Sequence, residues 1–421
     1  MKIAFSSYEY PPDTAVGGIA TYIQQAAQTL AGRGHTVEVF AASPTREGTF
    51  EIGGIVVHLL HERSIYDFAC VAGHAFAKRH AEVEFDVLEG PEYGADIAKA
   101  IQLVPEIPLV VKTHSPTLLL AKINHLGYRG EVLKDFLRQL AAMGKAAWQR
   151  RTLPPLHFCS DALRGAVERD YIEAGYARQA DLIASPCRDL CKYAVEKWSI
   201  PGARVRLVPN LYVPRPELLS IPIATRTKVI GFFGRVEVRK GVLDLAKAIP
   251  AVLARCHDVR FKLVGATQPI PGTDQTVSDL IAKRLGKWME FVEFTGKVSL
   301  NEIPAQLASV DIAVFPSLWE NFPNVCLEAM AAGRGIVASS AGGMREMLDE
   351  GKTGLLVPPR RPRQLASALI HLIQHEQARM EFGRLARQRV LSEYNAERIG
   401  GLMESTYEEA IALRHAAGPR K

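Results

Sequence analysis

Short apolar runs alternate with helical patterns, a proline-rich break interrupts them near the middle, and the same rhythm then restarts. Together these predict an α/β chain of two doubly wound domains. The length agrees, because 421 residues exceed one ordinary core. Parallel βαβ units leave this signature: their strands are covered on both faces and read as continuous apolar runs.

The first run, residues 2–7, ends in the turn-like stretch 9–18 and reads as a buried strand. A helix is expected over 19–30, where apolar residues recur at helical spacing and Gly32 and Gly34 stop the pattern. Further strands are expected at 36–41, 55–60, 85–88, 109–112, 181–184 and 205–208. The rhythm breaks between about 116 and 178, where helical patterns over 131–151 and 156–176 carry Lys122, Arg129, Lys134, Arg138, Lys145, Arg150 and Arg151. This reads as a helical insertion in a first domain spanning 1–214. It could shape an acceptor pocket or touch a membrane surface, although a solvated face is the plainer reading.

Pro209, Pro214, Pro216 and Pro222 mark a linker. Beyond it a second domain, 215–395, is expected. Its strands fall at 228–233, 261–264, 311–315 and 335–338, with helices over 242–253 and 324–332. The chain closes in helices over 362–375, 377–393 and 396–415.

Composition narrows the class. Apolar residues make up 48% and charged residues 23%, an ordinary globular balance. A net charge of +6 is mild for this size, and no run of like charges marks a nucleic-acid tail. The apolar N-terminal stretch is too short for a signal peptide, and no segment approaches the ~20 apolar residues of a spanning helix. A cytoplasmic chain is expected, at most peripheral to the inner face of a membrane. The six cysteines form no CxxC, as expected of reduced thiols. His157, Cys159, Cys187 and Cys191 could be imagined around zinc, but their spacing matches no common structural site. No bound metal is expected.

The chemistry concentrates in two loops. In Glu320-Asn-Phe-Pro-Asn-Val-Cys-Leu-Glu328 a strand ends and a helix opens, with Pro323 suited to the first helical position. The amides of Asn324 and Val325 then lack helical partners and lie at the positive end of the dipole, which suits a diphosphate. Glu320 falls before the turn, at the mouth of the crevice. Glu328 falls inside the helix, where a carboxylate needs a partner such as a pair of ribose hydroxyls.

In Phe233-Gly-Arg235-Val-Glu-Val-Arg239-Lys240-Gly241, Arg235 and Lys240 belong to one βα loop at the carboxyl end of the second domain's first strand. Open α/β sheets bind ligands there. A guanidinium fork and an ammonium can hold a diphosphate and offset the charge that grows on it as a sugar leaves. Gly17 and Gly18 precede the first helix, where glycines let the backbone approach a phosphate or sugar. His114 ends the strand at 109–112 and would face the same crevice.

Several strings occur in one order along nearly the whole chain. They are Gly17-Gly18, Gly34-His35-Thr-Val, Val208-Pro-Asn210, Gly231-Phe-Phe-Gly-Arg235 with Lys240-Gly241, Ser317-Leu-Trp-Glu320 to Glu328-Ala-Met-Ala-Ala-Gly333, Gly335 to Gly342-Gly343, and Gly351-Lys-Thr-Gly354-Leu-Leu-Val. Jointly they resemble the retaining glycosyltransferases of family 4, whose GT-B fold sets two Rossmann-like domains across a cleft. The resemblance implies that Arg235 and Lys240 hold the donor diphosphate and that Glu320 contacts the transferred sugar. The backbone of Asn321, Phe322, Asn324 and Val325 would lie nearby and Glu328 would bind the ribose. Gly17 and Gly18 would lie on the donor side, Gly18 by the phosphate and acceptor, with His114 beside the sugar. The last helix, about 396–421, would cross back onto domain one.

The family often has Gly-Phe-Gly where this chain has Asn321-Phe322-Pro323, Gly335 stands for a frequent proline, and Ala266 for a usual glycine. These departures bear on the identity of the donor sugar. The implied activity is transfer from a UDP- or GDP-sugar, which is substrate rather than cofactor, to a glycan, lipid-linked or small-molecule acceptor. Cell-surface polysaccharide, lipopolysaccharide or glycolipid synthesis is the expected setting. No DxD triplet is present to support a metal-bridged diphosphate. A nucleotide-sugar epimerase can share such a fold, but the Glu320-to-Glu328 motif argues against it. A dehydrogenase would carry GxGxxG after its first strand, and none follows. A non-catalytic sugar-nucleotide sensor or membrane scaffold should have lost Arg235, Lys240 or Glu320, and all three remain.

Overall fold

The computed structural model describes residues 1–14, 17–127, 161–270 and 273–420. Two sheets organise them. The first holds β1 (Lys2–Ser7), β2 (Thr36–Ser43), β3 (Gly48–Ile52), β4 (Ile55–His61), β5 (Val87–Pro91), β6 (Leu109–Lys112), β7 (Leu182–Ser185) and β8 (Val205–Leu207). Their order is β3-β4-β2-β1-β5-β6-β7-β8, and all neighbours run parallel except the β3-β4 hairpin. The second sheet is wholly parallel and holds β9 (Val229–Phe233), β10 (Arg260–Val264), β11 (Val292–Gly296), β12 (Ile312–Phe315), β13 (Gly335–Ser339) and β14 (Leu355–Val357). Its order is β11-β10-β9-β12-β13-β14.

In each sheet the order reverses at the first strand. Ile3 of β1 pairs with Val37 on one side and Val87 on the other, and Phe232 of β9 pairs with Leu263 and Val314. Loops leaving the two sides of such a switch point diverge and open a crevice. Every residue of β5, β6, β7, β12 and β13 is buried, which is why these segments read as largely apolar runs, although β5 also buries Glu89 and β6 Lys112.

The α/β class and the GT-B arrangement are present. The helix Ala396–Ala417 packs on the first sheet, where Ile399, Met403, Tyr407 and Ala410 share a core with Ile3, Phe5 and Val39. Their spacing of four, four and three residues puts all four on one helical face. Asn395 caps the helix by accepting from the Arg398 amide at 2.8 Å. Arg33 grips Glu404 with two bonds of 2.8 Å, and Arg414 reaches the buried Asp181 at 2.6 Å. The C-terminal segment thus belongs structurally to the first sheet.

Three strands escape the pattern reading. β3 is exposed along nearly its whole length, so no buried face imprints a period on it. β11 and β14 are short edge strands with partly buried positions. The proline-rich stretch is also more than a linker, since Pro216–Leu219 forms a helical turn that buries Leu218. Between β6 and β7 the helices Thr117–Gly127 and Asp161–Ala177 pack against each other. The helix expected over 131–151 and the basic residues Arg129, Lys134, Arg138, Lys145, Arg150 and Arg151 lie outside the described residues, as do His157 and Cys159. No described helix is long and apolar enough to cross a membrane.

Candidate functional site

Loops from the carboxyl ends of β9, β12 and β13 meet around Glu320. The meeting requires glycine. Gly241 has φ 72°, and a Cβ there would lie 1.8 Å from the Pro316 carbonyl oxygen. Gly342 has φ 67°, and its Cβ would lie 1.9 Å from the Glu320 oxygen. A Cβ on Gly343 would lie 1.8 Å from the Asn321 oxygen. Backbone bonds complete the clamp: Leu318 N–H donates to Arg239 O at 2.8 Å, and Gly343 N–H to Glu320 O at 2.9 Å.

Glu320 is 7% exposed. Its Oε1 lies 2.6 Å from Lys240 Nζ and 3.5 Å from Arg239 Nη1, and it accepts from Ser317 Oγ at 3.0 Å. Burial alone would raise its pKa. The charges of Lys240 and Arg239 and these hydrogen bonds outweigh burial and hold it below the usual carboxylate value. Arg239 is mostly buried and also pairs with Glu237 at 2.8 Å. Burial opposes its charge, but Glu320 and Glu237 more than offset that. Arg235 is half-exposed, with only a 3.5 Å approach to Glu237. Three cations thus face two carboxylates, and the loop carries positive charge that is partly uncommitted.

Arg239 is the member that the pattern reading passed over. Its signal was present as an Arg-Lys doublet before the left-handed Gly241, but sequence alone does not show which of two adjacent cations turns inward.

The helix Asn324–Ala331 points its start at this region, with one correction. Pro323 is the cap residue, with ψ 122°, and the first helical position is Asn324. The extended ψ of Pro323 keeps it outside the helix. The first bond of the helix runs from Cys326 N–H to Pro323 O at 3.0 Å, so the Asn324 and Val325 amides precede the ladder as expected. Asn321 is buried and its Oδ1 accepts from Cys187 Sγ at 3.3 Å, a contact between the two sheets' loops. The Phe322 ring lies in the core against Tyr394, centroids 5.2 Å apart, so only its backbone remains for a ligand. Burial raises the Glu328 carboxyl to about 7, and the charge of Arg215 from the interdomain segment works against that shift.

The first domain contributes the opposite wall. Gly17 and Gly18 are exposed, and a Cβ on Gly18 would lie 4.0 Å from Asn324 Nδ2. The glycine turn and the helix start therefore face each other across the cleft.

His114 follows β6 and is 5% exposed. Its amide donates to both oxygens of Glu92, at 2.8 and 2.7 Å, and its ring stands edge-on to Tyr22. Its Nε2 has no hydrogen-bond partner among the described residues. Burial, then the nearby charge of Lys112, lowers its pKa to about 3, so the imidazole is neutral. Lys112 itself donates to Val208 O at 2.5 Å and lies 4.9 Å from the Tyr22 ring centre.

Among the described residues no group of three or more His, Cys, Asp or Glu side chains is placed to hold a metal ion. Cys187 and Cys191 lie in or beside one helix, and burial raises both thiols' pKa values.

This geometry has relatives. Residues 16–212 match the family model described as Glycosyltransferase Family 4, and residues 227–375 match the one described as Glycosyl transferases group 1. A glycogen synthase of Mycobacterium tuberculosis is 26% identical over 100% of this chain and 97% of its own length. Among solved structures, sucrose-phosphate synthase from Thermosynechococcus elongatus superposes with a TM-score of 0.70 at 20% identity, covering 98% of this chain and 100% of that one. HepE of Anabaena, solved in complex with UDP-glucose, superposes with a TM-score of 0.66 at 21% identity, covering 97% of this chain and 99% of that one.

Proposed function

Because the chain belongs to the group 1, family 4 glycosyltransferases of the GT-B fold, we propose that it moves a sugar from a UDP- or GDP-linked donor onto an acceptor hydroxyl, with retention and without a metal ion. The observation that carries this reading is the clamp in which Lys240 and Arg239 hold Glu320 while Arg235 stays half-exposed beside them. HepE, a neighbour in fold, binds UDP-glucose, and a diphosphate here would meet Arg235, Lys240 and the amides of Asn324 and Val325. Glu328 would take the ribose hydroxyls. Glu320, charged and fixed, would accept hydrogen bonds from the transferred sugar.

Retention would follow a front-face course. The bond from the anomeric carbon to the phosphate oxygen breaks, and the acceptor oxygen bonds to that carbon from the same face. The acceptor proton passes to the departing phosphate oxygen. No side chain need act as nucleophile. The cations stabilise the charge that grows on the diphosphate, and the helix amides add to them. Neutral His114, with Nε2 unpartnered among the described residues, would accept a hydrogen bond from a sugar hydroxyl. Lys240, Arg239 and Arg235 would supply the positive charge that a divalent ion would otherwise bring. The acceptor belongs to a glycan, a glycolipid or a soluble small molecule, and contact with a membrane surface is part of the glycolipid case.

The test is turnover of UDP- and GDP-sugars with chelator present, following nucleotide release and the anomeric configuration of the product by NMR. Release with an α-linked product from an α-linked donor supports the reading. An inverted product, or turnover only after a divalent ion is restored, overturns it.

A further inference from the structure

Besides Ser6 Oγ, Tyr10 Oη, Tyr176 Oη, Arg204 Nε and Asn210 Oδ1, the first domain buries three further polar atoms with no partner among the described residues: Glu9 Oε2, Asp96 Oδ1 and His114 Nε2. They follow β1, β5 and β6, which are adjacent in the sheet, so all three sit at one carboxyl edge. Asp96 is 2% exposed, and its other oxygen accepts from the Tyr8 amide at 2.7 Å. Glu9 lies against the glycine turn, its Oε2 3.5 Å from where a Gly17 Cβ would stand. It is close enough to Arg235 across the cleft for that charge to act on it.

The other acids nearby are saturated. Glu92 takes the amides of His114 and Ser115, and Glu173 takes the amide and hydroxyl of Thr117. Glu9 also draws on the Gly17 and Ala20 amides, but its Oε2 and Asp96 Oδ1 have no partner among the described residues.

Resting on the glycosyltransferase reading, we infer that Glu9 and Asp96 bind hydroxyls of a neutral, polyhydroxylated acceptor and disfavour a phosphorylated one. A buried acceptor atom without a partner costs free energy that a ligand hydroxyl recovers. Two carboxyl groups and a neutral imidazole offer three such atoms, and a sugar or polyol presents several hydroxyls. A phosphate would bring its negative charge into a low-dielectric site beside the Glu9 carboxylate. The buried cation on this side, Lys112, is already committed to Val208 O and the Tyr22 ring. Burial and the neighbouring Glu9 charge raise Asp96 to about 8. Its protonated form donates to a hydroxyl as readily as its charged form accepts from one.

The experiment is calorimetric titration of the full chain with matched pairs: methyl α-glucoside against glucose 6-phosphate, and myo-inositol against inositol 1-phosphate. The neutral member of at least one pair should bind about tenfold or more tightly than its phosphorylated partner, and Asp96→Asn and Glu9→Gln should each weaken it about tenfold. Tighter binding of the phosphorylated members, binding of neither, or folded variants that bind as the wild type would overturn the inference. Nucleotide affinity is the separate control. Asp96→Asn should keep wild-type affinity for UDP or GDP, whereas absence of nucleotide binding in the unaltered protein counts against the donor-site reading.

Discussion

Lys240 Nζ lies 2.6 Å from Glu320 Oε1, and the two residues meet because Gly241 lets its loop touch the Pro316 backbone. Truncation at this pair separates charge from scaffold. Lys240→Ala should lower kcat by about 10²–10³-fold, the usual loss when a fixed stabiliser of transition-state charge is removed. Glu320 keeps Arg239 at 3.5 Å, so stability should fall by only about 1–3 kcal/mol. Steady-state kinetics with thermal denaturation checks both; a variant of near-normal rate would remove Lys240 from the site.

Gly342→Ala should damage activity without touching a ligand. Its Cβ would lie 1.9 Å from the Glu320 oxygen in a left-handed conformation, so the loop must move. A loss of stability above ~1 kcal/mol is expected, with a fall in kcat. An unchanged melting temperature and rate would show that the clamp has slack.

His114 should not contribute a titrating limb to activity. Its folded pKa of about 3 lies below the working range, so kcat should show no step from this imidazole between about pH 5 and 8. His114→Gln should lower kcat while leaving the pH profile the same shape. A limb near pH 6.5 that disappears in the variant would place the imidazole in a more open setting.

Asp96 gives a stability effect of definite sign. Its pKa rises from 3.8 to about 8 on folding, so between these values the folded state holds a proton that the unfolded state lacks. The stability tied to that proton is fully present below pH 3.8 and is lost as pH rises towards 8. Asp96→Asn removes this loss. The variant should gain in melting temperature relative to the wild type as pH rises from 5 to 8.5, by at least about 2 °C. A difference that stays constant with pH would show that Asp96 is charged in the folded protein.

Much of this was readable before any coordinates. β1 and β6 lie where continuous apolar runs place them, because they are buried, and the helix Val242–Leu253 lies where its spacing places it, because it buries one face and exposes Lys247 and Ala251 on the other. β3 was hidden for the opposite reason: Gly48–Ile52 faces solvent and pairs only with β4. Within the clamp, Arg235, Lys240 and Glu320 announced themselves as charges at strand ends. The inward turn of Arg239 did not, because it depends on a loop some eighty residues away. Glu9 and Asp96 were invisible as a pair, since proximity across β1 and β5 is a property of the sheet order rather than of local pattern. Pro323, expected at the first helical position, instead caps the helix with an extended ψ.

A nucleotide diphosphate is expected to dock between the Arg235–Lys240 loop and the start of the helix Asn324–Ala331. The most direct measurement is a thermal-shift series with UDP, GDP, ADP and their sugar conjugates, with chelator, on the wild type and on Arg235→Ala/Lys240→Ala. Ligand at a hundredfold its Kd stabilises the native state by about 2.7 kcal/mol. The predicted result is a clear rise with the UDP or GDP series in the wild type that is absent from the double variant. No rise with any diphosphate, or an equal rise in the double variant, would contradict it.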